Sequence, residues 1–176
     1  MFKLNLGCGE VKFSKYTNID AFEGCKPDVQ MDFIKTPLPY DDGSCDTIML
    51  LDTLEYINKK HFARLFQDIW RALRKSGDVY ITYPDFKTIS TNWVNNEHGA
   101  RSAWEIILYG RQQHEWDFVK SLVDPIELQE LLTNLGFYRI EGIQHEMMVG
   151  LHAYKGEKMM TYEDVVSREI GDLAVQ

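Results

Sequence analysis

The chain has 176 residues, 44% of them hydrophobic and 26% charged, which suits one globular domain with a sizeable core. Its net charge is −8, and it has no evident basic cluster for duplex phosphates, so nucleic acid is disfavoured as a partner. The longest aliphatic run, residues 48–51, is far short of the roughly 20 residues that span a bilayer. The N-terminus lacks the pattern of a signal peptide. We therefore expect a single cytoplasmic domain, residues 1–176, with no membrane partner.

The spacing of the cysteines and histidines gives little reason to expect a metal. Cys8, Cys25 and Cys45 are odd in number and scattered, without a C-x-x-C pair, which is usual for reduced thiols inside cells. The five histidines show neither an H-x-x-x-H nor an H-E-x-x-H spacing. The sequence therefore predicts no metal site.

Short apolar segments bounded by turn residues predict seven strands. Residues 46–51 form a continuous apolar run, which is typical of a strand buried on both faces. Glycine, proline and aspartate mark the ends of most of the segments. The predicted strands are residues 3–6, 17–20, 28–33, 46–51, 79–83, 137–143 and 147–154.

Two amphipathic helices are predicted between the strands. Apolar residues recur at spacings of three and four over residues 58–74, with Asn58 as N-cap and Gly77 just past the end. A second helix over residues 124–135 ends at Gly136. Strands separated by helices early in the chain, with a hairpin at its end, predict an α/β fold. Its sheet is expected to be mostly parallel, with one antiparallel strand near the edge.

Two segments do not fit this alternation. Residues 88–123 have weak periodicity and are predicted to be an insertion, or lid, with one or two short helices. The C-terminal tail, residues 157–176, contains a capping-box pattern from Thr161 to Asp164 and predicts a short helix. Its apolar stripe would pack on the core or against another chain, and a homodimer stays open. The stripe consists of Val166, Ile170 and Leu173.

The predicted strand ends carry residues that suit a nucleoside. In open α/β sheets, ligands bind at the carboxyl ends of strands, where the strand order reverses. The first strand ends in the glycine turn, residues 7–9, where missing side chains let a ligand approach the backbone. Asp20 ends the second strand, Asp32 lies near the end of the third and Asp52 ends the fourth. Glycines followed by two acids would place a ribose and a base across neighbouring strands.

A series of short motifs extends this pattern along the chain. They are LNLGCG (4–9), NID (18–20), MDF (31–33), LPYDDGSCD (38–46), TLEYI (53–57), LRKSGD (73–78), YPD (83–85) and LGF (135–137). In this order they resemble the class I S-adenosylmethionine (SAM)-dependent methyltransferases, in a short form similar to methyltransferase type 11. The resemblance runs through residues 4–85, with a weaker echo to about 137. It implies a Rossmann-like seven-stranded sheet and SAM as the cofactor.

The resemblance also implies roles by position. The glycine turn would hold the methionine part of the cofactor through its backbone, and Asp20 would accept hydrogen bonds from the ribose hydroxyls. Asp32 would meet the adenine amino group, while Leu51 and Asp52 would lie near the transferred methyl. The implied cofactor contacts are Asn5, Leu6, Gly7, Cys8, Gly9, Asp20, Ala21, Asp32, Phe33, Leu51 and Asp52.

The chain departs from the family pattern in three places. Val11 stands where relatives often have a third glycine, and Asp52 stands where they often have a histidine. Only about seven residues separate Gly9 from the second strand, too few for the helix that normally covers the cofactor. Residues 10–16 must therefore cover the cofactor as a loop, or leave the site more open.

Methyl transfer is an in-line displacement in which the protein aligns the acceptor and excludes water. An oxygen or nitrogen acceptor can require a base, and the candidates are Asp85, His114 and Asp117. Residues 109–117 combine many hydrogen-bonding and aromatic side chains and predict either an acceptor lid or a polar loop, with Trp104 and Trp116 in the core.

The sequence thus predicts a SAM-dependent methyltransferase acting on an unidentified, small-molecule acceptor. An alternative is a non-catalytic SAM-binding module that acts through a protein partner and buries its tail helix against another chain. An aminopropyl transferase on the same fold is a third option, without a visible acidic amine site.

Overall fold

A computed structural model describes residues 1–95, 101–145 and 148–157 of the chain. The predicted tail helix, with its stripe of Val166, Ile170 and Leu173, lies outside the described residues. No helix within the described ranges is long and apolar enough to cross a membrane.

The described residues form one seven-stranded sheet in the order β3-β2-β1-β4-β5-β7-β6. Neighbouring strands among the first five are parallel, whereas β7 is antiparallel to both β5 and β6. This sheet confirms the predicted α/β fold class, including its C-terminal hairpin. The strands are β1 (Phe2–Leu6), β2 (Thr17–Asp20), β3 (Val29–Gln30), β4 (Cys45–Leu51), β5 (Leu73–Pro84), β6 (Phe137–His145) and β7 (Met148–Lys155).

Within the described ranges, four α-helices accompany the sheet. The first buries Phe62, Leu65, Phe66 and Ile69 in the core, as their spacing of three and four predicts. The last is capped by the Asp124 carboxylate, which accepts hydrogen bonds from two backbone N–H groups of its first turn. The helices are α1 (Phe62–Ala72), α2 (Phe86–Val94), α3 (Arg101–Tyr109) and α4 (Pro125–Asn134), with 3-10 turns at Glu23–Cys25, Leu54–Tyr56 and Lys59–His61.

Gly77 does not directly follow the helix, although the sequence predicted that it would. Helix α1 ends at Ala72, and β5 begins at the next residue, so Gly77 lies inside that strand. A Cβ on Gly77 would lie 2.9 Å from the Asp46 carbonyl oxygen and 3.0 Å from that of Arg74. Glycine is therefore needed here because two backbone segments approach closely, not because a helix stops.

The third strand is shorter than predicted. Only Val29–Gln30 pair with β2. The Asp32 carboxylate accepts hydrogen bonds from the backbone N–H groups of Ile34 (3.0 Å) and Lys35 (3.3 Å). These local bonds fold the chain into a turn, and the strand cannot continue through it.

A loop, not a helix, connects β1 to β2, as the spacing predicts. Two buried amide side chains hold it. The Asn5 amide donates to the Val11 carbonyl (2.9 Å) and to Asn18 Oδ1 (3.1 Å), and Asn18 Oδ1 also accepts from the Phe13 backbone N–H (3.0 Å). The Asn18 amide in turn donates to Asp28 Oδ2 at 2.7 Å. The loop therefore has a defined shape despite its lack of secondary structure.

Candidate functional site

The glycine turn after β1 is locked to the end of β4. The Thr53 hydroxyl donates to the Leu6 carbonyl (3.1 Å), and a Cβ on Gly7 would lie 2.7 Å from Thr53 Oγ1. Gly7 and Gly9 both have positive φ, +69° and +47°, which favours glycine. A Cβ on Gly9, in contrast, would meet nothing within 4 Å. The turn thus adjoins open space where a ligand can approach its backbone.

The Asp20 carboxylate is hydrogen-bonded to this turn. It accepts from the backbone N–H of Gly9 (2.9 Å) and from that of Phe22 (2.8 Å), one on each oxygen. The N–H groups of Gly7 and Cys8 donate to the Ile19 carbonyl. The carbonyl oxygen of Cys8 accepts from the Val11 N–H (2.9 Å), and that of Gly7 accepts from the Thr53 hydroxyl (3.4 Å). A carbonyl oxygen can accept a second hydrogen bond, which suits an ammonium group. Each Asp20 oxygen keeps further acceptor capacity for a hydroxyl, so turn and carboxylate together fit the amino-acid and ribose parts of SAM.

The other implied cofactor contacts have structural partners within the protein. Asp32 pairs with Lys35 at 3.1 Å and stabilises its own turn. Phe33 is buried in the core and lines a surface cavity against α1. The Ala21 carbonyl accepts from the Gln30 side chain at 3.5 Å. Asn5 and Leu6 are buried, and the Asn5 amide holds the loop. The structure therefore brings together the glycine turn and Asp20, but gives Asp32, Phe33 and Asn5 structural partners.

The carboxyl end of β4 carries two acids in different environments. Asp52 has a positive φ of 52°, and its Oδ1 accepts from the Thr82 hydroxyl at 2.7 Å, which joins it to β5. Leu51 next to it is partly buried. Glu55 is only 5% exposed, and its Oε2 has no hydrogen-bond partner among the described residues. Burial, with a contribution from Asp52, raises the pKa of Glu55 to about 8.

Glu55 was missed as a site residue by the sequence reasoning. The TLEYI motif does not indicate that this glutamate is buried, because the residues that enclose it are distant in the sequence. It lines a narrow apolar cavity formed with α2, α3 and the segment before α4. Its backbone carbonyl accepts from the N–H groups of Lys120 (2.7 Å) and Ser121 (3.1 Å).

Residues 110–118 form a compact loop, here called the lid segment. The Val119 N–H donates to the Tyr109 carbonyl (3.2 Å), which closes the loop at its base. Inside it, the Gln112 N–H donates to the Asp117 carbonyl (3.1 Å). Gly110 has a φ of +79°, and a Cβ there would collide with the Asp117 carbonyl. The segment is therefore an ordered element with its own hydrogen bonds.

The lid segment reaches the ends of β2 and β3. The His114 ring stacks on Phe22, with 3.7 Å between the ring centroids and 16° between the planes. Lys35 lies 5.2 Å and Lys120 5.7 Å from the centre of the Trp116 ring. Trp116 is thus partly exposed and held by two cations, not filling the core as the alternative interpretation required. The Trp104 side chain lies outside the described residues.

The three candidate bases occupy distinct positions. Asp85 caps α2: its oxygens accept from the Lys87 N–H (3.2 Å), the Thr88 N–H (3.4 Å) and the Thr88 hydroxyl (2.5 Å). Asp117 accepts from the Gln113 N–H at 3.4 Å, within the lid segment. His114 keeps a buried Nδ1 without a partner among the described residues. The structure brings His114 and Asp117 together in the lid segment, whereas Asp85 serves a helix terminus.

Comparisons with known proteins find a matching family model and solved structures with a similar fold. A family model described as a methyltransferase domain matches residues 4–81, from β1 into β5. A SAM-dependent methyltransferase from Archaeoglobus fulgidus is similar in structure, with a TM-score of 0.64 and 15% identity over 87% of this chain and 85% of that chain. One from Methanosarcina mazei has a TM-score of 0.62 and 17% identity, covering 89% and 92% of the two chains.

A third similar structure contains bound SAM. It is a Haemonchus contortus phosphoethanolamine N-methyltransferase in complex with SAM, with a TM-score of 0.60 and 14% identity over 89% of this chain and 49% of that chain. A search of curated proteins finds no match. The match to the family model identifies a methyltransferase domain, and the solved structures share its fold. Residues 4–81 thus match a methyltransferase domain, and the described fold is that of SAM-dependent methyltransferases of known structure.

Proposed function

We propose that the chain is a SAM-dependent methyltransferase and that it methylates a small-molecule acceptor held between the glycine turn and the lid segment. The observation that carries this proposal is the stacking of His114 on Phe22, two residues beyond Asp20. Through this contact the lid segment lies against the end of β2, which would hold the ribose. An edge covered in this way favours a small acceptor over nucleic acid, in agreement with the net charge of −8.

The chain's own residues would bind and orient the cofactor. Asp20 would accept hydrogen bonds from the ribose hydroxyls, and the carbonyl oxygens of residues 7–9 would accept from the ammonium group. Asp32, beyond its pair with Lys35, would meet the adenine amino group. When bound, SAM supplies the electrophilic methyl group. The protein's contribution is then to align the acceptor with that methyl and to exclude water.

Proton transfer from the acceptor would fall to the lid segment. His114 has a buried ring nitrogen without a partner among the described residues. Asp117 lies near Tyr56, whose pKa is raised by burial, by Glu55 and by Asp117. These groups are available to take a proton from an acceptor oxygen or nitrogen. Asp85 is assigned to capping α2, because both of its oxygens already accept hydrogen bonds from the first turn.

The non-catalytic alternative draws on the loop that replaces a helix between β1 and β2, and on Asp52. It relies on a tail helix buried against another chain, and that tail lies outside the described residues. Residues 4–81 match a methyltransferase domain.

Calorimetric titration with SAM and S-adenosylhomocysteine tests the cofactor role of Asp20. We expect micromolar binding to the wild type and its loss in Asp20→Ala. Asp28→Ala is the matched control, since Asp28 bonds to Asn18 of β2 and not to the glycine turn. Unchanged SAM affinity in Asp20→Ala would contradict the proposed binding of the ribose by Asp20.

A radiolabelled-methyl screen of small oxygen and nitrogen nucleophiles, set beside RNA and protein substrates, then tests the acceptor class.

A further inference from the structure

Three side chains with metal-binding atoms meet beside the glycine turn. Cys8 comes from the turn itself, Asp20 from the end of β2 and Cys25 from the 3-10 turn Glu23–Cys25. Their ligand atoms, two sulfurs and a carboxylate oxygen, all lie within 4.8 Å of one another. The sequence spacing did not indicate this cluster, because its members are separated by 12 and 5 residues and meet only through the β1–β2 pairing.

The two thiols are enclosed. Cys8 is 4% and Cys25 5% exposed, and Cys25 Sγ donates to the Phe22 carbonyl at 3.0 Å. Burial, Cys25 and Asp20 raise the pKa of Cys8 to about 12, and burial and Asp20 raise the pKa of Cys25. Asp20 thus disfavours a negative charge on both sulfurs. A cation placed between them would reverse this effect, since it stabilises the thiolates and the carboxylate together.

We propose that Cys8, Asp20 and Cys25 bind a thiophilic divalent cation such as Zn²⁺, and that this cation competes with SAM for Asp20. Tetrahedral zinc with Zn–S of about 2.3 Å and Zn–O of about 2.1 Å places its ligand atoms roughly 3.5–3.8 Å apart. The cluster needs only small side-chain movements to reach that spacing. Two sulfur ligands select Zn²⁺ over the hard cations Mg²⁺ and Ca²⁺.

The competition follows from the position of Asp20. Its two oxygens already accept from the N–H groups of Gly9 and Phe22, so the remaining acceptor capacity is shared between a metal and a ribose. A metal held here also draws Cys8, and with it the glycine turn, towards Cys25. This second part of the inference rests on the proposed cofactor role of Asp20, whereas metal binding by the cluster does not.

Cobalt spectroscopy tests the metal site without any activity measurement. Co²⁺ is added to the reduced, chelator-treated wild type, and thiolate-to-cobalt charge-transfer absorption is recorded. We expect saturation at one equivalent, with displacement of Co²⁺ by Zn²⁺. Cys25→Ala should lose the absorption, and Cys8→Ala gives a second test should Cys25→Ala fail to fold by circular dichroism. Cys45→Ala is the matched control, since Cys45 is equally buried but lies outside the cluster.

Absence of the charge-transfer absorption in folded wild type, or its persistence in folded Cys25→Ala, would overturn the metal site.

SAM titrations with and without saturating Zn²⁺ test the competition. We expect at least a tenfold increase in the Kd for SAM in the wild type and no change in Cys25→Ala. A Kd unaffected by Zn²⁺ in the wild type would overturn the competition. No SAM binding to the metal-free wild type would instead overturn the proposed cofactor role of Asp20, so the two failures are distinguishable.

Discussion

The Thr53 side chain occupies the space that a Cβ on Gly7 would need. Such an atom would lie 2.7 Å from Thr53 Oγ1 and 3.1 Å from its Cβ, and it would collide with Cγ2. The Thr53 hydroxyl at the same time donates to the carbonyl groups of Leu6 and Leu51. One side chain thus joins the carboxyl ends of β1 and β4 and excludes every residue but glycine from position 7.

Gly7→Ala should therefore destabilise the fold more than Gly9→Ala. Both positions have positive φ, which costs alanine roughly 1–2 kcal/mol, but only Gly7 adds a collision, for a total of about 3 kcal/mol or more. Thr53→Ala in the Gly7→Ala background should restore part of the loss, roughly 1 kcal/mol. Urea unfolding of the wild type and these three variants measures these differences. Equal losses in Gly7→Ala and Gly9→Ala would contradict the steric explanation.

Asp85 should tolerate replacement by another helix-capping residue. Asp85→Ser keeps an oxygen for the N–H groups of Lys87 and Thr88 but has no carboxylate, so its stability and kcat should remain close to those of the wild type. Asp85→Ala should lose about 1 kcal/mol of unfolding free energy. Thermal melts and turnover assays with the acceptor found by screening check both. A kcat reduced a hundredfold in stable Asp85→Ser would restore Asp85 as a catalytic base.

Replacing His114 separates packing from proton transfer. His114→Phe keeps an aromatic ring to stack on Phe22 but removes both nitrogens, so kcat should fall by about 100-fold while the Kd for SAM is unchanged. His114→Leu should weaken the stacking as well, with a lower melting temperature. Steady-state kinetics and calorimetry distinguish the two variants. Wild-type kcat in His114→Phe would show that His114 acts only through packing.

Glu55 should make the protein less stable as the pH rises. Its pKa in the folded state is about 8 against an ordinary 4.5, so between these values the folded state retains a proton that the unfolded state releases. The unfolding free energy then falls with pH across this window, by up to about 1.4 kcal/mol per pH unit, and is level above it. The stabilising effect of the bound proton is complete only below pH 4.5.

Denaturant unfolding at a series of pH values measures this effect. Glu55→Gln should remove most of the decline between pH 5 and pH 8, roughly the interval between the two pKa values. Glu105→Gln, at an exposed position in α3, should leave it unchanged. The same pH dependence in wild type and Glu55→Gln would assign the decline to other groups.

The sequence predicted the fold where local signals agree with tertiary packing. The apolar spacing of α1 and the proline and aspartate at the start of α4 act within one or two turns, and both helices are present. The signal at Gly77 was misleading, because glycine after a helical pattern resembles a cap. Its actual cause, the approach of the Asp46 carbonyl from β4, involves a residue 31 positions away.

The candidate site was predictable to a similar extent. The order of glycines and acids at strand ends indicated the turn and Asp20, because the fold brings successive strand ends to one edge. The stacking of His114 on Phe22 and the burial of Glu55 depend on how the lid segment crosses that edge. No periodicity or spacing in the sequence encodes that crossing.

The short connection between β1 and β2 has a consequence for the order of folding. Parallel strands usually need a crossover of a dozen or more residues, but here residues 7–16 suffice because Asn5 and Asn18 hold the loop. The entropy lost in closing so short a segment is small. We expect this pair, with the binding turn already shaped, to assemble early and to act as a template for β4. The pairing of β7 with β5 is instead non-local, since β5 ends more than 60 residues before β7 begins.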